Sequence, residues 1–366
     1  MVRVNKKDWS ILSTYRNEIF GLSIIGIIIL HYFQNILKSD ATGLPKIIST
    51  AYFDIIGSTG VEIFLFLSGM GLYFSMTKDS NVLKFYGRRL KRLLLAYTLW
   101  GGTFWVIRDM VLLNYDFERV LYDFFFLSFW RDGVSSVWFI AFIIVLYLVY
   151  PIIHRCFRSD NSYRTAILWI LILSSVACTS WCIVYAPNVY ANIKLALYRV
   201  PIFLIGAYYG KKIHEKANFS IGDTLLILLG LVANLLFIIN KSVYKISFMR
   251  YIDVEYIKCI YSISLVVIMA WTLSYFKKGF FNRFLIATGA LSLELYMTHV
   301  NIRNIMTVMG FKLNELWLYT TCVLLSIACS IVISNICKGI LYLFGIGRQA
   351  GPVVQPERKF KIIVIE

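Results

Sequence analysis

Apolar runs of about 20 residues, each closed by a cluster of charged residues, recur along the whole chain. That is the length an α-helix needs to cross a hydrocarbon layer of roughly 30 Å. The pattern predicts ten spans, at 17–36, 55–76, 93–113, 136–154, 165–185, 195–210, 221–240, 254–276, 284–306 and 316–344. With the N-terminus inside, the cytoplasmic connections carry four basic groups. They are Lys78, Lys84, Arg88, Arg89, Lys91 and Arg92; Arg155, Arg158 and Arg164; Lys211, Lys212 and Lys216; and Lys277, Lys278 and Arg283. The first opposite loop holds Lys38 and Lys46, and the third holds Lys194 alone. Short cytoplasmic loops retain Lys and Arg, so this bias places both termini in the cytoplasm. The expected fold is all-α, a polytopic membrane bundle of about ten transmembrane helices. It forms a single multispan domain over 1–347, followed by a basic cytoplasmic tail at 348–366. The aromatic run 117–130 is too short to span and is expected to be buried or to lie at the outer interface. No internal repeat is visible.

Composition narrows the function classes. At 59% hydrophobic, 16% charged and a mean hydropathy of +0.70, a chain of 366 residues is too apolar for a soluble domain. The net charge of +17 comes from loop cations that orient the spans. No basic surface outside the membrane is large enough to carry nucleic acid. The apolar run after MVRVNKKDWS is long and lacks a small-residue cleavage site, so it reads as a retained first helix and not as a signal peptide. The seven cysteines have no metal-ligand spacing, so buried thiols and no metal are expected.

Depth along the helices selects the candidate chemistry. At about 1.5 Å of rise per residue, His31 in the first span, Glu62 in the second and His299 in the ninth fall at a similar level toward the outer side. An imidazole moves protons near neutral pH. A carboxylate facing lipid costs several kcal/mol, so Glu62 needs protein or water around it. The three side chains are expected to converge, with His31 and Glu62 as the working pair; the alternative is that each histidine satisfies a buried hydrogen bond. In KDSNVLKFYGRRLKRLLLAY (78–97), Arg88 and Arg92 share a helix face, with Arg89 beside them. Such a cluster suits phosphate groups; orientation signalling with anionic-lipid contact accounts for it equally well. Trp138 and Tyr150 bracket the fourth span, and Arg199 beside Pro201 is placed either to meet an anionic substrate or to snorkel. Glu294, Tyr296 and Asn301 surround His299 as candidate cavity lining.

These stretches resemble the acyltransferase 3 family of membrane O-acyltransferases that decorate cell-surface glycans. NEIFGLSIIGIIILHY (17–32) resembles the family's first helix ending in its histidine. GVEIFLFLSGMGLYFS (60–75) is similar to its second helix, with the acidic residue at Glu62, and FYGRRLKRLLLAY (85–97) to its arginine-rich loop. VWFIAFIIVLYLVYP (137–151), RVPIFLIGAYYGK (199–211) and LSLELYMTH (291–299) resemble the later helices. One departure stands out. Members usually carry an arginine about three turns before the histidine, where this chain has Phe20-Gly21-Leu22. Arg16, fifteen residues before His31 and within about 60° of its face, is the nearest substitute. No appended hydrolase-like domain of the kind some members carry is expected.

The resemblance implies an O-acetyltransferase in a bacterial cell membrane. It would use cytoplasmic acetyl-CoA as donor and a hydroxyl of a cell-surface or lipid-linked glycan as acceptor. In that reading His31 is the general base and Glu62 orients it. Arg88, Arg89, Arg92 and Arg16 hold the donor phosphates, and Trp138, Arg199, Tyr296 and His299 contact substrate. A multispan glycan or lipid-linked sugar transporter, with His31 and Glu62 as a proton relay, is the alternative.

Overall fold

The computed structural model describes residues 7–57, 59–158, 163–240, 255–276 and 279–343; the tail at 348–366 and Lys277 and Lys278 lie outside them. The helices are α1 Ser10–Thr14, α2 Arg16–Lys38, α3 Gly43–Tyr52, α4 Thr59–Lys78, α5 Val82–Trp105, α6 Phe117–Phe124, α7 Leu127–Asp132 and α8 Trp138–Arg158. They continue as α9 Tyr163–Tyr185, α10 Pro187–Leu197, α11 Val200–His214, α12 Ile221–Ile239, α13 Tyr256–Tyr275, α14 Phe280–Ala290, α15 Ser292–Val308 and α16 Leu316–Leu343. Short π-helical turns, Phe53–Gly57 and Val106–Leu112, precede α4 and follow α5. Over the described residues each predicted span falls mainly on helix, and eight stretches among them are long and apolar enough to cross a membrane. The two remaining predictions are interrupted. The span at 93–113 continues a helix whose first turns carry Arg88, Arg89 and Arg92, and the span at 284–306 breaks at Leu291 into α14 and α15. The protein is an all-α, multi-pass membrane bundle.

Close backbone approach holds the core helices together. A Cβ built on Gly206 of α11 would lie 2.2 Å from the carbonyl oxygen of Phe66 on α4, and one on Gly69 would lie 2.5 Å from that of Phe203. Small residues that let backbones touch are the usual membrane packing device. The same holds for α2 and α14, where a Cβ on Gly21 would meet the Leu285 carbonyl oxygen at 2.2 Å. No side chain fits at position 21, in the middle of the Phe20-Gly21-Leu22 stretch where the family's arginine is expected. Outside this core, α9 and α12 present most of their surface outward, and Cys178 on α9 is exposed, against the expectation of buried thiols.

Buried charge secures the ends. Asp223, in the first turn of α12, accepts from Trp9 Nε1 (3.1 Å), Tyr209 Oη (2.9 Å), Lys212 Nζ (2.8 Å) and its own cap, Ser220 N (2.9 Å). This ties the N-terminal turn to α11 and α12. The 117–130 run forms α6 and α7, joined through Phe126 in a left-handed conformation (φ 63°). It packs on the bundle through Tyr97 Oη donating to Phe124 O (2.9 Å) and through Arg108, which reaches Asp123 at 3.8 Å, a carboxylate also held by Arg119 of the same helix (2.9 Å).

Candidate active site

Helix α2 carries a titratable group toward each end. Arg16 opens it, and His31 follows fifteen residues later, a rise of about 22 Å. The half-buried His31 ring stacks on the fully buried His299 ring of α15, with centroids 5.3 Å apart and planes 15° from parallel. His299 Nε2 lies 3.0 Å from Tyr319 Oη on α16. The Tyr319 hydroxyl donates its one proton to the Ile28 carbonyl of α2, so toward His299 it acts as acceptor. His299 is thereby set in the Nε2–H tautomer, with its lone pair on Nδ1. Nδ1 of His31 and Nδ1 of His299 are both buried without a hydrogen-bond partner among the described residues. Two unpartnered imidazole nitrogens in a buried stack are equipped to take a proton, and His31 is the more accessible.

Glu62 lies elsewhere. Helix α4 runs antiparallel to α2: a Cβ on Gly57 would touch Leu30, one on Gly60 would touch Ile27, and one on Gly71 would lie 2.8 Å from Arg16 Nη2. This register sets Glu62 about six residues, or roughly 9 Å, nearer the Arg16 end than His31. Glu62 Oε1 accepts from Arg199 Nε at 2.9 Å, and both residues are buried. Arg199, at the break between α10 and α11, also donates to Leu195 O (2.8 Å) and lies over the rings of Trp138 (4.8 Å) and Tyr198 (4.3 Å). Trp138 and Arg199 thus come together around Glu62. Tyr296 faces the charges of both Arg199 and Arg303 and so lies between this pair and the histidines.

The remaining candidates divide by partner. Arg88 pairs with Asp79 (2.9 Å) at the exposed start of α5, and Arg92 with the buried Glu294 (3.2 Å). Asp79 is held below the usual carboxylate range first by the Asn81 N–H and then by Arg88. Arg16 and Arg89 form no ion pair with a described carboxylate. They converge instead on Gly71: Arg89 Nη2 donates to its carbonyl (3.1 Å), and Arg16 packs against its Cα and over Phe20 (4.8 Å). Arg16 feels the charge of Arg89, Tyr147 lies close to both, and Nε of both is buried without a partner among the described residues. Beside them the Tyr150 hydroxyl and both ring nitrogens of His154 are likewise buried and unpartnered. Two uncompensated guanidinium groups with orphaned polar neighbours make an anion cradle.

Sequence reasoning passed over Arg303, Tyr319 and His154. Arg303 was legible: at 100° per residue Tyr296, His299 and Arg303 fall on one face of α15, with Glu294 and Asn301 on the opposite one. Arg303 is the charge that acts most strongly on both His31 and His299. The hydroxyl of Tyr319 gave no such signal, because a tyrosine near a span end reads as an interfacial anchor.

A protein-family model described as an acyltransferase domain matches residues 21–335, a stretch that includes every candidate except Arg16. No curated protein and no solved structure matches the chain.

Proposed function

Since the chain belongs to the acyltransferase 3 family and is a membrane acyltransferase, we propose that it transfers an acetyl group from acetyl-CoA to a hydroxyl of a cell-surface or lipid-linked glycan. The observation that carries this reading is the two-ended arrangement along α2, with the Arg16–Arg89 cradle at one end and the His31–His299 stack at the other. The cradle suits the donor's phosphates, which are charged and cannot enter hydrocarbon unaided. It faces the cytoplasm, where acetyl-CoA is found and where the basic loops belong. In this reading Arg16, reaching Gly71 from the mouth of α2, takes the place of the family's arginine, which Phe20-Gly21-Leu22 lacks. Arg88 and Arg92, already paired, frame the entrance.

The donor's arm then runs along α2 with its thioester toward His31. His31 takes the proton of the acceptor hydroxyl, a contribution of about 10²–10⁴ in rate. His299, held by Tyr319, fixes the plane of the His31 ring. Glu62 serves Arg199 and not His31 directly. It holds the guanidinium against Trp138, and Arg199, Trp138 and Tyr296 line the acceptor's side.

The test uses sealed vesicles containing the protein, labelled acetyl-CoA on the cytoplasmic face and a glycan-lipid extract. Base-labile label passes into glycan with the native chain, is lost in His31→Ala, and falls more in Arg89→Ala than in Arg88→Ala. If no label moves while glycan still crosses the vesicle membrane, the chain is a transporter and the reading fails.

A further inference from the structure

Arg303 has no counter-ion among the described residues. Its guanidinium lies one turn beyond His299 on the same face of α15, with Tyr296, Tyr319 and Cys322 as the ionisable groups around it, and its Nη1 is buried without a hydrogen-bond partner among the described residues. Other interior arginines are accounted for. Arg199 is neutralised by Glu62 and Arg108 by Asp109, and Arg16 and Arg89 await the donor's phosphates. An uncompensated guanidinium inside a membrane bundle costs several kcal/mol, and it persists where negative charge arrives to meet it.

We infer that Arg303 is a catalytic residue that stabilises the oxyanion formed during acyl transfer; this rests on the acyltransferase reading above. The acceptor oxygen forms a bond to the thioester carbonyl carbon as its proton passes to the His31 imidazole. The carbonyl π pair moves onto oxygen, and the negative charge so formed lies two bonds from the atom that His31 deprotonates. Arg303, the cation whose charge acts most strongly on both rings, donates to that oxygen. On collapse the π bond reforms, the C–S bond breaks, and the sulfur leaves with the proton held by His31 as the free CoA thiol. Donors aimed at charge that develops only in the transition state act on turnover and leave binding little changed. An acidic group on the acceptor would also satisfy Arg303. The oxyanion is favoured because the reaction itself generates negative charge beside the two imidazoles, whatever the acceptor.

The test measures steady-state transfer in vesicles with acetyl-CoA and the glycan-lipid extract, for the native chain, Arg303→Gln and Arg303→Lys. Expected for Arg303→Gln is a fall in kcat of roughly 100- to 1,000-fold, with KM for both substrates within about threefold of native. Arg303→Lys, which keeps the charge, recovers part of the loss. Equilibrium binding of acetyl-CoA shows that a variant is folded; if Arg303→Gln does not bind it, Arg303→Lys decides, again by kcat against KM. An unchanged kcat overturns the inference. So does a raised acceptor KM at native kcat, which assigns Arg303 to an acidic group of the acceptor. If the native chain itself transfers no label, the donor and acceptor reading has failed and the inference falls with it. An active native chain indifferent to Arg303→Gln sinks the inference alone.

Discussion

Glu62 and Arg199 bind each other, fully buried, at 2.9 Å, with Glu62 Oε2 left unpartnered. Removing one member of such a pair strands a charge in low dielectric and costs roughly 3–5 kcal/mol, whereas removing both together is often nearly neutral. Glu62→Gln and Arg199→Leu should each lower the thermal midpoint of the detergent-solubilised protein, and Glu62→Leu combined with Arg199→Leu should recover most of the loss. Additive losses in the double variant would show that the two residues act independently. Depth arithmetic placed His31, Glu62 and His299 at one level, and the structure brings the two histidines together. It sets Glu62 two turns away because the register between α2 and α4 is fixed by Gly57, Gly60 and Gly71, which composition along one helix does not reveal.

Helices α4 and α11 meet through Gly69 and Gly206, and α2 and α14 through Gly21 and Gly289. The first crossing carries Arg199 to Glu62, since Arg199 sits at the head of α11 and Glu62 one turn into α4. Gly206→Ala would put a methyl 2.2 Å from a backbone oxygen that cannot swing aside. The helices must separate, at a cost of about 1–3 kcal/mol. The expected result is a lowered melting temperature together with reduced transfer. An alanine at Gly87 of α5, where the nearest atom to an added Cβ is the flexible end of Lys91 at 3.8 Å, should change neither.

The arginine cradle and the histidine stack lie at two separated depths along α2, with the buried Glu62–Arg199 pair between them. Loop charge assigns the Arg88 end to the cytoplasm, and the structure sets the His31 end at the opposite side, near the 312–314 turn, where Asn35 Nδ2 donates to Leu313 O (3.2 Å). Sidedness is checked with a membrane-impermeant maleimide on whole cells. Lys312→Cys should label directly and Ser80→Cys only after permeabilisation, each read over the native thiols. The reverse pattern would invert the bundle and place the arginine cradle outside, away from acetyl-CoA.

Hydropathy alone was enough for the helical class and for the positions of the spans, because burying a backbone in lipid leaves helices as the economical solution and their length is set by the bilayer. The residue order from Asn17 to His299 was enough for the family. Which arginines stand unpaired was settled only in three dimensions. Arg88 and Arg92 look alike in the loop with Arg89, yet Asp79 and Glu294 neutralise the first two and leave Arg89 to Arg16, from another helix. Arg303 could be read from sequence on the His299 face of its span, but sequence does not say whether a carboxylate meets it. The packing of α15 against α2 and α16 encloses that charge on the His299 face with no carboxylate among the described residues to meet it. Charge compensation is a property of neighbours in space, and it depends on distances of a few ångströms between segments far apart in the chain.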